Sequence, residues 1–270
     1  IIYVPVRVVI DYNVVSTRIV EYRQSNLPAE LNNFRITFIS DIQADAYTDA
    51  ARLGRFIGRV NETDPDLVLI GGDIITSTPD YIDEAAEYVG KIKSRYGVYS
   101  CIGDHDNWAY RDDYGRSLRE IEGAMRKYNV KMLNNKDTVI NIKNSGIGIT
   151  FLTSTYVEHI NGVLLDTLIQ QQDHSNFKIL LVHQPNTLAV QKAAEAGYNL
   201  FLAGHTHGGQ VTFLFPFINL TPTLLETRYV RGDFHFGRML MIVTRGLGMS
   251  LVPLRYNSTP EITVIVLRKN

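Results

Sequence analysis

The sequence predicts an α/β protein in which a sheet is covered by helices. Short β-branched runs alternate with longer stretches of helical period, and 45% of the 270 residues are apolar against 20% that are charged. That balance is typical of a globular protein with a substantial buried core. No repeat, low-complexity tract or glycine/serine linker marks a boundary, so we expect a single domain over residues 1–270.

Nine short apolar runs are predicted to be strands. Those at 35–40, 67–70, 98–102, 178–182 and 200–203 are continuous enough to be buried on both faces. Four more runs, at 138–142, 147–152, 240–244 and 262–267, are separated by turn residues rather than by long helices. Residues 1–34 lack a clear period and are expected to form edge strands or an arm against the core.

Three helices are predicted from apolar residues that recur three and four positions apart. The first ends before Pro65, and the second begins near Thr78 and Pro79, a cap and first-turn pair. The inward-facing residues of the first helix are Ala50, Leu53, Ile57 and Val60. Those of the second helix are Ala85, Val89 and Ile92, and those of the third are Leu118, Ile121, Met125 and Tyr128.

The charge balance and the cysteine count exclude several classes of protein. Lys and Arg (27) nearly cancel Asp and Glu (28), so a net charge of −1 gives no general attraction to nucleic acid, and no such partner is expected. Cys101 is the single cysteine, which rules out a disulfide within the chain, and its apolar setting predicts burial.

No apolar run reaches the roughly 20 residues of a membrane-spanning helix. Residues 1–10 are apolar apart from Arg7, which is consistent with removal or omission of an upstream segment.

Each of the five buried runs leads directly into side chains of types that bind metals. Ligands collect beyond the carboxyl ends of strands in sheets flanked by helices, so these segments are expected to converge on one site. Taken singly, Asp41 and Asp73 are better explained as cap and turn residues, and His183 is equally well explained as a core histidine. The glycine-rich segment 204–209 is hard to explain as packing. The candidate metal ligands are Asp41, Asp73, Asp104, His183, His205 and His207.

Phosphate ester cleavage has a chemical use for two such metals. Held roughly 3.5 to 4 Å apart, they bind the attacking and phosphoryl oxygens and lower the pKa of bound water. One carboxylate has to bridge them, and Asp73 is the candidate.

The five segments resemble the motifs of the calcineurin-like metallophosphoesterases, which read D-x-H, G-D, G-N-H-D/E, a lone H and G-H-x-H. All five occur in order, and the resemblance runs from about Phe34 to Leu267. Segment 204–210, with Arg245-Gly246 and Pro260-Glu261, is similar to the bacterial membrane-associated branch, which includes YkuE-type and YaeI-type phosphodiesterases and UDP-2,3-diacylglucosamine hydrolases. The resemblance implies a four-layer αββα sandwich of two mixed sheets flanked by helices, with a catalytic core at about 34–267. It also implies a membrane-associated protein, held peripherally or by a segment missing from this chain.

The resemblance implies a role for each site residue. His105 would stay unliganded, contact the phosphate and help the leaving group depart, while Asp106 would orient its ring. Such a neighbouring carboxylate favours the charged imidazole. The first metal would be bound by Asp41, Gln43, Asp73 and His207, and the second by Asp73, Asp104, His183 and His205.

Two positions depart from the family pattern. Gln43 replaces the histidine of the first motif, which makes the first site richer in oxygen and favours manganese over zinc, with magnesium, zinc or iron as alternatives. Asp104 replaces the asparagine of the third motif, which should tighten the second metal but weaken the positive field that a phosphate meets.

Residues that follow the motifs are candidates for substrate binding. Trp108 and Tyr110 have aromatic faces suited to a base or sugar, and core packing explains them equally well. Arg111 suits a phosphate. Arg245 and Arg255 are either ligands of a second phosphate or solvated surface charges.

Segment 213–225 has two interpretations. Its eight apolar residues and two prolines fit a buried strand and turn, which is the favoured reading, or an exposed lip that meets a bilayer or an acyl chain. The residues are Phe213, Leu214, Phe215, Phe217, Ile218, Leu220, Leu224 and Leu225, around Pro216 and Pro222.

The reaction that these features favour is hydrolysis of a phosphodiester or pyrophosphate bond in a lipid- or nucleotide-containing substrate, by in-line attack of metal-bound hydroxide. A UDP-diacylglucosamine-like substrate fits this description. The alternative within enzymes is a broad phosphomonoesterase. A rival of another class is a catalytically silent metal-binding interaction module, for which Gln43 and Asp104 are the supporting features.

Overall fold

The computed structural model describes residues 2–172, 175–216 and 218–270. Within them, two six-stranded sheets pack face to face and helices cover both outer faces, which confirms the predicted sandwich. The helices are α1 (Tyr3–Asn13), α2 (Ala50–Asn61), α3 (Ile82–Val89), α4 (Tyr114–Lys127), α5 (Gly162–Gln171) and α6 (Thr187–Glu195). The strands are β1 (Ser16–Gln24), β2 (Arg35–Ile39), β3 (Leu67–Ile70), β4 (Val98–Ser100), β5 (Val130–Met132), β6 (Lys136–Ile142), β7 (Ser145–Leu152), β8 (Phe177–Val182), β9 (Leu200–Ala203), β10 (Phe213–Phe215), β11 (Ile218–Leu220), β12 (Gly232–Phe236), β13 (Met239–Val243) and β14 (Glu261–Lys269).

Both sheets are mixed, and each has a parallel centre. The first has the order β1-β14-β2-β3-β4-β5, with β14 antiparallel to β2 and all other neighbours parallel. The second has the order β12-β13-β9-β8-β7-β6, with antiparallel pairs at its two ends. The strands whose ends carry the candidate ligands are therefore β2, β3 and β4 in one sheet and β8 and β9 in the other.

Alternate residues of each strand enter different apolar layers, as the period of a strand requires. Phe38 and Leu69 lie between the two sheets, where Cys101 is also buried as predicted. Ile39 and Ile70 instead pack against α2, α3 and α4. Helices α5 and α6 cover the far face of the second sheet. Packing in these three apolar layers positions the strand ends of both sheets.

The N-terminal region differs in part from its prediction. Strand β1 is an edge strand as expected, but residues 3–13 form helix α1, which the β-branched run at 4–10 concealed. The buried carboxylate of Asp11 anchors this helix by accepting hydrogen bonds from Arg7 and Thr259. Tertiary contacts therefore override the local preference for a strand.

Besides α1, two more helices were not predicted, and one predicted cap lacks its side-chain hydrogen bond. Asn161 and Asn186 cap α5 and α6 through their side chains, a signal that the sequence does contain. Thr78 and Pro79 begin the helical segment as predicted, but the Thr78 side chain makes no capping hydrogen bond. Its hydroxyl donates to Asp80 instead, and a short 3₁₀ turn over Pro79–Tyr81 precedes α3.

Close approach of two loops at the strand ends depends on glycine. Gly72 has φ +83°, and a Cβ placed there would lie 2.5 Å from the backbone nitrogen of Gly103. Backbone cannot move aside as a flexible side chain can. The loops that carry Asp73 and Asp104 can approach each other only because both positions lack a side chain.

We expect Gly72→Ala to lower the free energy of unfolding by about 2–4 kcal/mol, since it adds a clash and a strained φ. The matched control is Gly58→Ala on the exposed face of α2, where an added Cβ meets nothing within 4 Å. This control should stabilise the protein by about 0.5–1 kcal/mol. Urea denaturation of both variants measures the difference. Equal stabilities would contradict the close approach of the loops.

Candidate metal centre

Six predicted ligands converge where the strand ends of the two sheets meet. Within the described chain they form two groups, and the ligand atoms of each group lie within 4.8 Å of one another. The first group is Asp41, Asp73 and His207, and the second group is Asp104, His183 and His205. All six side chains are buried or nearly so. A cluster of buried carboxylates and imidazoles is the donor set of a divalent metal site.

The second group has a compact geometry with Asp104 at its centre. Asp104 Oδ2 lies 2.8 Å from Nδ1 of His205 and 3.2 Å from Nε2 of His183. Asp73 Oδ2 lies 3.4 Å from the same nitrogen of His183. Asp73 thus belongs to the first group but also faces the second, as a bridging ligand would.

The first group includes Gln43 as well. The Gln43 side-chain amide donates to Asp73 Oδ2 at 2.7 Å, and Asp41 Oδ1 lies 3.7 Å from Nε2 of His207. Of the buried side-chain atoms that lack a hydrogen bond among the described residues, two belong to candidate ligands: Oε1 of Gln43 and Nε2 of His183. Buried polar atoms usually have partners, and both atoms belong to side chains of the candidate ligand set. Cations would satisfy both atoms, so the residues present fit two divalent metals.

The backbone at the ligands is strained. Residues other than glycine seldom adopt positive φ, and each such position costs of order 1–3 kcal/mol. The two loops after β2 and β3 and the loop after β9 share this feature. The strained ligands are Asp41 (φ +54°), Gln43 (+53°), Asp73 (+57°), His205 (+70°) and His207 (+48°). Strain concentrated on the candidate ligands indicates a functional centre rather than ordinary turns.

The electrostatic environment separates the histidines into two kinds. Burial would lower the pKa of His205, but hydrogen bonds to Asp104 and Glu226 outweigh burial and raise the pKa to about 9. Burial is outweighed in the same way at His183, whose pKa is raised by Asp73 and Asp104. Burial and the charge of Arg255 both lower the pKa of His207. The carboxylates beside His183 and His205 therefore stabilise positive charge at this point, and a divalent cation would supply such charge.

Outer contacts orient the ligands, and several of these residues were missed from the sequence. Nδ1 of His183 faces the carbonyl of Gly71 at 2.7 Å, which directs Nε2 toward the carboxylates. Gln184 donates to both oxygens of Asp104, at 2.9 and 3.0 Å. Its position directly after His183 was the available signal. Glu226 accepts from Nε2 of His205 at 2.7 Å, and nothing local in the sequence indicates this contact.

His105 lies beside the metal centre, but its ring contacts other groups than the predicted Asp106. Nδ1 of His105 contacts the carbonyl of Thr76, and Nε2 lies 3.2 Å from the hydroxyl of Ser250. The prediction that Asp106 orients this ring is wrong. The Asp106 carboxylate accepts from the backbone amides of Asp73, Ile74 and Gly103, so it ties the ligand loops together. Burial raises the pKa of Asp106 to about 6.

The substrate-binding prediction is wrong for Arg255. Its side chain is fully buried and donates to the carbonyls of Gly248, His207 and Ser258, so it is neither a phosphate ligand nor a solvated charge. The guanidinium supports the loop that carries His207.

The core-packing interpretation fits Tyr110. It packs against the helical layer, and its hydroxyl donates to Glu120. This ring does not line the metal pocket.

The remaining candidates lie around a pocket of about 350 Å³ that contains the ligands. Trp108 lines it, with its ring 4.8 Å from that of His105 and parallel to that of Tyr156. Arg111 lines an adjacent cavity. Arg245 is half-buried, pairs with Glu261 at 3.6 Å and does not line this pocket.

Segment 213–225 is exposed, so the favoured reading of a buried strand and turn is wrong. Strands β10 and β11 form a separate antiparallel hairpin, and a 3₁₀ turn over Pro222–Leu225 follows it. Phe217 and the side chain of Ile218 lie outside the described residues. The other apolar side chains, exposed by 41% to 95%, form what we call the apolar lip: Phe213, Leu214, Phe215, Leu220, Leu224 and Leu225.

Comparison with known proteins identifies the family. Residues 34–209 match the calcineurin-like phosphoesterase family model. The chain is 32% identical to the uncharacterized metallophosphoesterase YkuE of Bacillus subtilis over 248 residues, covering 91% of this chain and 83% of that protein. It is 25% identical to the phosphodiesterase YaeI of Escherichia coli, covering 87% and 82%.

Two further comparisons concern membranes and the fold. The chain is 31% identical to a zebrafish (Danio rerio) transmembrane protein with a metallophosphoesterase domain, covering 93% of this chain and 56% of that protein. Among the described residues, no helix has the length and apolar character needed to cross a bilayer. A solved hypothetical protein from Thermus thermophilus has the same fold, with a TM-score of 0.51 and 14% identity, covering 81% of this chain and 78% of that one.

Changing Gln43 should change metal preference. Gln43→His adds an imidazole nitrogen, so we expect zinc to gain affinity relative to manganese. Gln43→Ala should weaken the metal bound with Asp41, Asp73 and His207 by at least about tenfold, because a ligand and a contact to Asp73 are lost. Gln170→Ala, on the exposed face of α5, is the control. Calorimetric titration of the metal-stripped protein measures each affinity. A Gln43→Ala variant that binds metals as the parent does would remove Gln43 from the site.

Proposed function

The chain belongs to the calcineurin-like phosphoesterase family and is a metal-dependent phosphoester hydrolase, and from this premise we propose that it cleaves a phosphodiester or pyrophosphate bond in a lipid- or nucleotide-containing substrate. The observation that carries this proposal is the lining of the metal pocket. Beside the ligands, its wall contains the apolar side chains of Val211, Pro222, Leu251 and Val252. A small, strongly hydrated monoester needs no such surface, whereas a substituent on the phosphate does.

We assign the ligands to two metal positions. Asp41, Gln43, Asp73 and His207 hold the first cation, and Asp73, Asp104, His183 and His205 hold the second. Divalent cations supply Lewis-acid stabilisation of the phosphoryl oxygens and lower the pKa of water. Manganese is favoured because Gln43 adds a hard, neutral oxygen where the family pattern has a nitrogen. The orphaned Oε1 of Gln43 supports this assignment.

His105 is the residue placed to act on the leaving group. Its Nδ1 carries a proton when it donates to the carbonyl of Thr76. Nε2 faces the pocket, and it can donate only when the ring is the imidazolium. In hydrolysis the oxygen of water ends on phosphorus, and the oxygen of the broken P–O bond takes up one proton. A positioned imidazolium that gives this proton accelerates such a step by about 10²–10⁴-fold.

We expect the metal-stripped protein, refilled with manganese, to hydrolyse bis-p-nitrophenyl phosphate faster than p-nitrophenyl phosphate. His105→Ala should lower kcat for the diester by about 10²–10⁴-fold while metal content is unchanged. His235→Ala, an exposed histidine, is the matched control and should retain the parent rate. Absence of turnover with manganese, magnesium and zinc would favour the silent interaction module, and faster monoester cleavage would favour the broad phosphomonoesterase.

We further propose that the apolar lip rests on a bilayer or on the acyl chains of the substrate. Pro222 and Thr223 belong to both the lip segment and the wall of the metal pocket, so the exposed apolar surface continues into the site. Exposed apolar patches of this kind mark interaction surfaces. The transmembrane name of the zebrafish relative is consistent with a site of action near a membrane.

Replacing Phe213, Leu214 and Phe215 together by serine should weaken binding to phosphatidylglycerol vesicles by at least about tenfold, since about 1.5–3 kcal/mol is lost for each apolar side chain no longer buried. Cosedimentation measures the binding. Hydrolysis of a vesicle-borne lipid phosphodiester should fall in parallel, while hydrolysis of bis-p-nitrophenyl phosphate should not. Equal losses on the lipid and the aryl substrate would argue against a lipid-facing role.

A further inference from the structure

A second cavity adjoins the metal pocket on the other side of His105. Its volume is about 610 Å³, against about 350 Å³ for the metal pocket. His105, Trp108, Leu251 and Val252 line both spaces, and none of the seven candidate metal ligands lines the larger one. We call the larger space the outer cavity. A group released at His105 is therefore adjacent to a space that is free of metal ligands.

The wall of the outer cavity is largely apolar and aromatic. Tyr47, Tyr114, Met249 and Pro253 are four of the eight lining residues that are not shared with the metal pocket. Such a wall stabilises an apolar or aromatic body by removing it from water. A cavity of this size accommodates a ligand much larger than a phosphate.

Two charged residues line the outer cavity, and only one of them is available to a ligand. Asp45 accepts hydrogen bonds from the amides of Tyr47 and Thr48, both at 2.7 Å, and from the hydroxyl of Thr76 at 2.9 Å. Both oxygens of Asp45 therefore already accept from donors of the protein, and a carboxylate does not attract an anionic ligand. Arg111 is exposed and forms no hydrogen bond or ion pair with any residue that the structure describes. The charge that the cavity offers to a ligand is the guanidinium of Arg111.

The partition between the two spaces is a strained turn with an exposed apolar side chain. Leu251 has φ +62°, and the amide of Val252 donates to the carbonyl of Ser250 at 2.7 Å, which makes a tight turn of the rare, strained kind. The Leu251 side chain is 96% exposed. The amide of Gln210, which directly follows the glycine-rich segment, holds this turn through both Ser250 and Val252. A strained turn that displays a leucine at a cavity mouth fits contact with a ligand.

We propose that the outer cavity binds the alcohol part of the ester, and that this alcohol has an apolar or aromatic body and an anionic group that pairs with Arg111. The inference rests on the proposed function. When the P–O bond breaks, the ester oxygen stays with this alcohol and takes its proton from His105, which lines both cavities. Leu251 covers the apolar body at the mouth, and Arg111 fixes the anionic end.

The test uses two fluorescent probes that differ in one charge: 8-anilino-1-naphthalenesulfonate and the neutral N-phenyl-1-naphthylamine. Fluorescence titration of the metal-free protein gives each Kd without any turnover. Arg111→Met should weaken the sulfonate by about fivefold and leave the neutral probe within about twofold, as expected for an exposed ion pair. Leu251→Ser should weaken both probes by about tenfold, since apolar contact is lost.

Leu188→Ser is the matched control, because Leu188 is 41% exposed on α6, lies outside the apolar lip and lines neither cavity. It should leave both Kd values unchanged. Sulfonate binding that is insensitive to Arg111→Met would overturn the anionic part of the proposal. Probes that do not bind, or that respond equally to the two leucine changes, would overturn the cavity assignment. Hydrolysis of bis-p-nitrophenyl phosphate by the same variants tests the proposed function separately, because probe binding needs neither metal nor catalysis.

Discussion

Burial of several carboxylates at the junction of two sheets is the constraint on which this structure depends. Asp41, Asp73, Asp104 and Asp106 are each at most 1% exposed, and burying an ionised carboxylate costs several kcal/mol unless it is paired. The chain meets this cost in two ways. Backbone amides surround Asp106, whereas Asp73 and Asp104 face the buried His183. Positive charge at that point stabilises the buried carboxylates, and a divalent cation bound there would add to it.

The same constraint explains the glycines and the strained residues around the site. Amides reach a buried carboxylate only when the backbone comes within hydrogen-bond distance, which side chains would prevent. A Cβ at Gly204 would lie 1.9 Å from the Ser40 hydroxyl, and one at Gly246 would lie 2.7 Å from Cβ of Asp41. Asp41 and Asp73 adopt positive φ in the same loops. The positive φ values and the glycines thus have the same cause, which is that backbone packs closely around buried carboxylates.

The sequence predicts the strands and the ligands because both depend on local information. A buried run that ends at Asp73 or His183 can be recognised from residue type and period alone, and the structure brings these ends together. Arg255 and Asp106 could not be assigned in this way. Their roles depend on which carbonyls and amides surround them, and that is decided by loops distant in sequence. The same holds for helix α1, where burial of Asp11 against Thr259 outweighs the β-branched sequence.

Exposure of the apolar lip is a property that the composition of segment 213–225 does not determine. Clustered phenylalanines and leucines fit a buried strand as well as an exposed surface, and only the fold decides between them. Glu226 directly follows the lip, and its carboxylate accepts from His205 at 2.7 Å and from the hydroxyl of Tyr156 at 2.6 Å. Tyr156 in turn donates its amide to Asp104. The lip is therefore joined to a metal ligand by hydrogen bonds, so a displacement of the lip changes the support of His205 as well as the exposed surface.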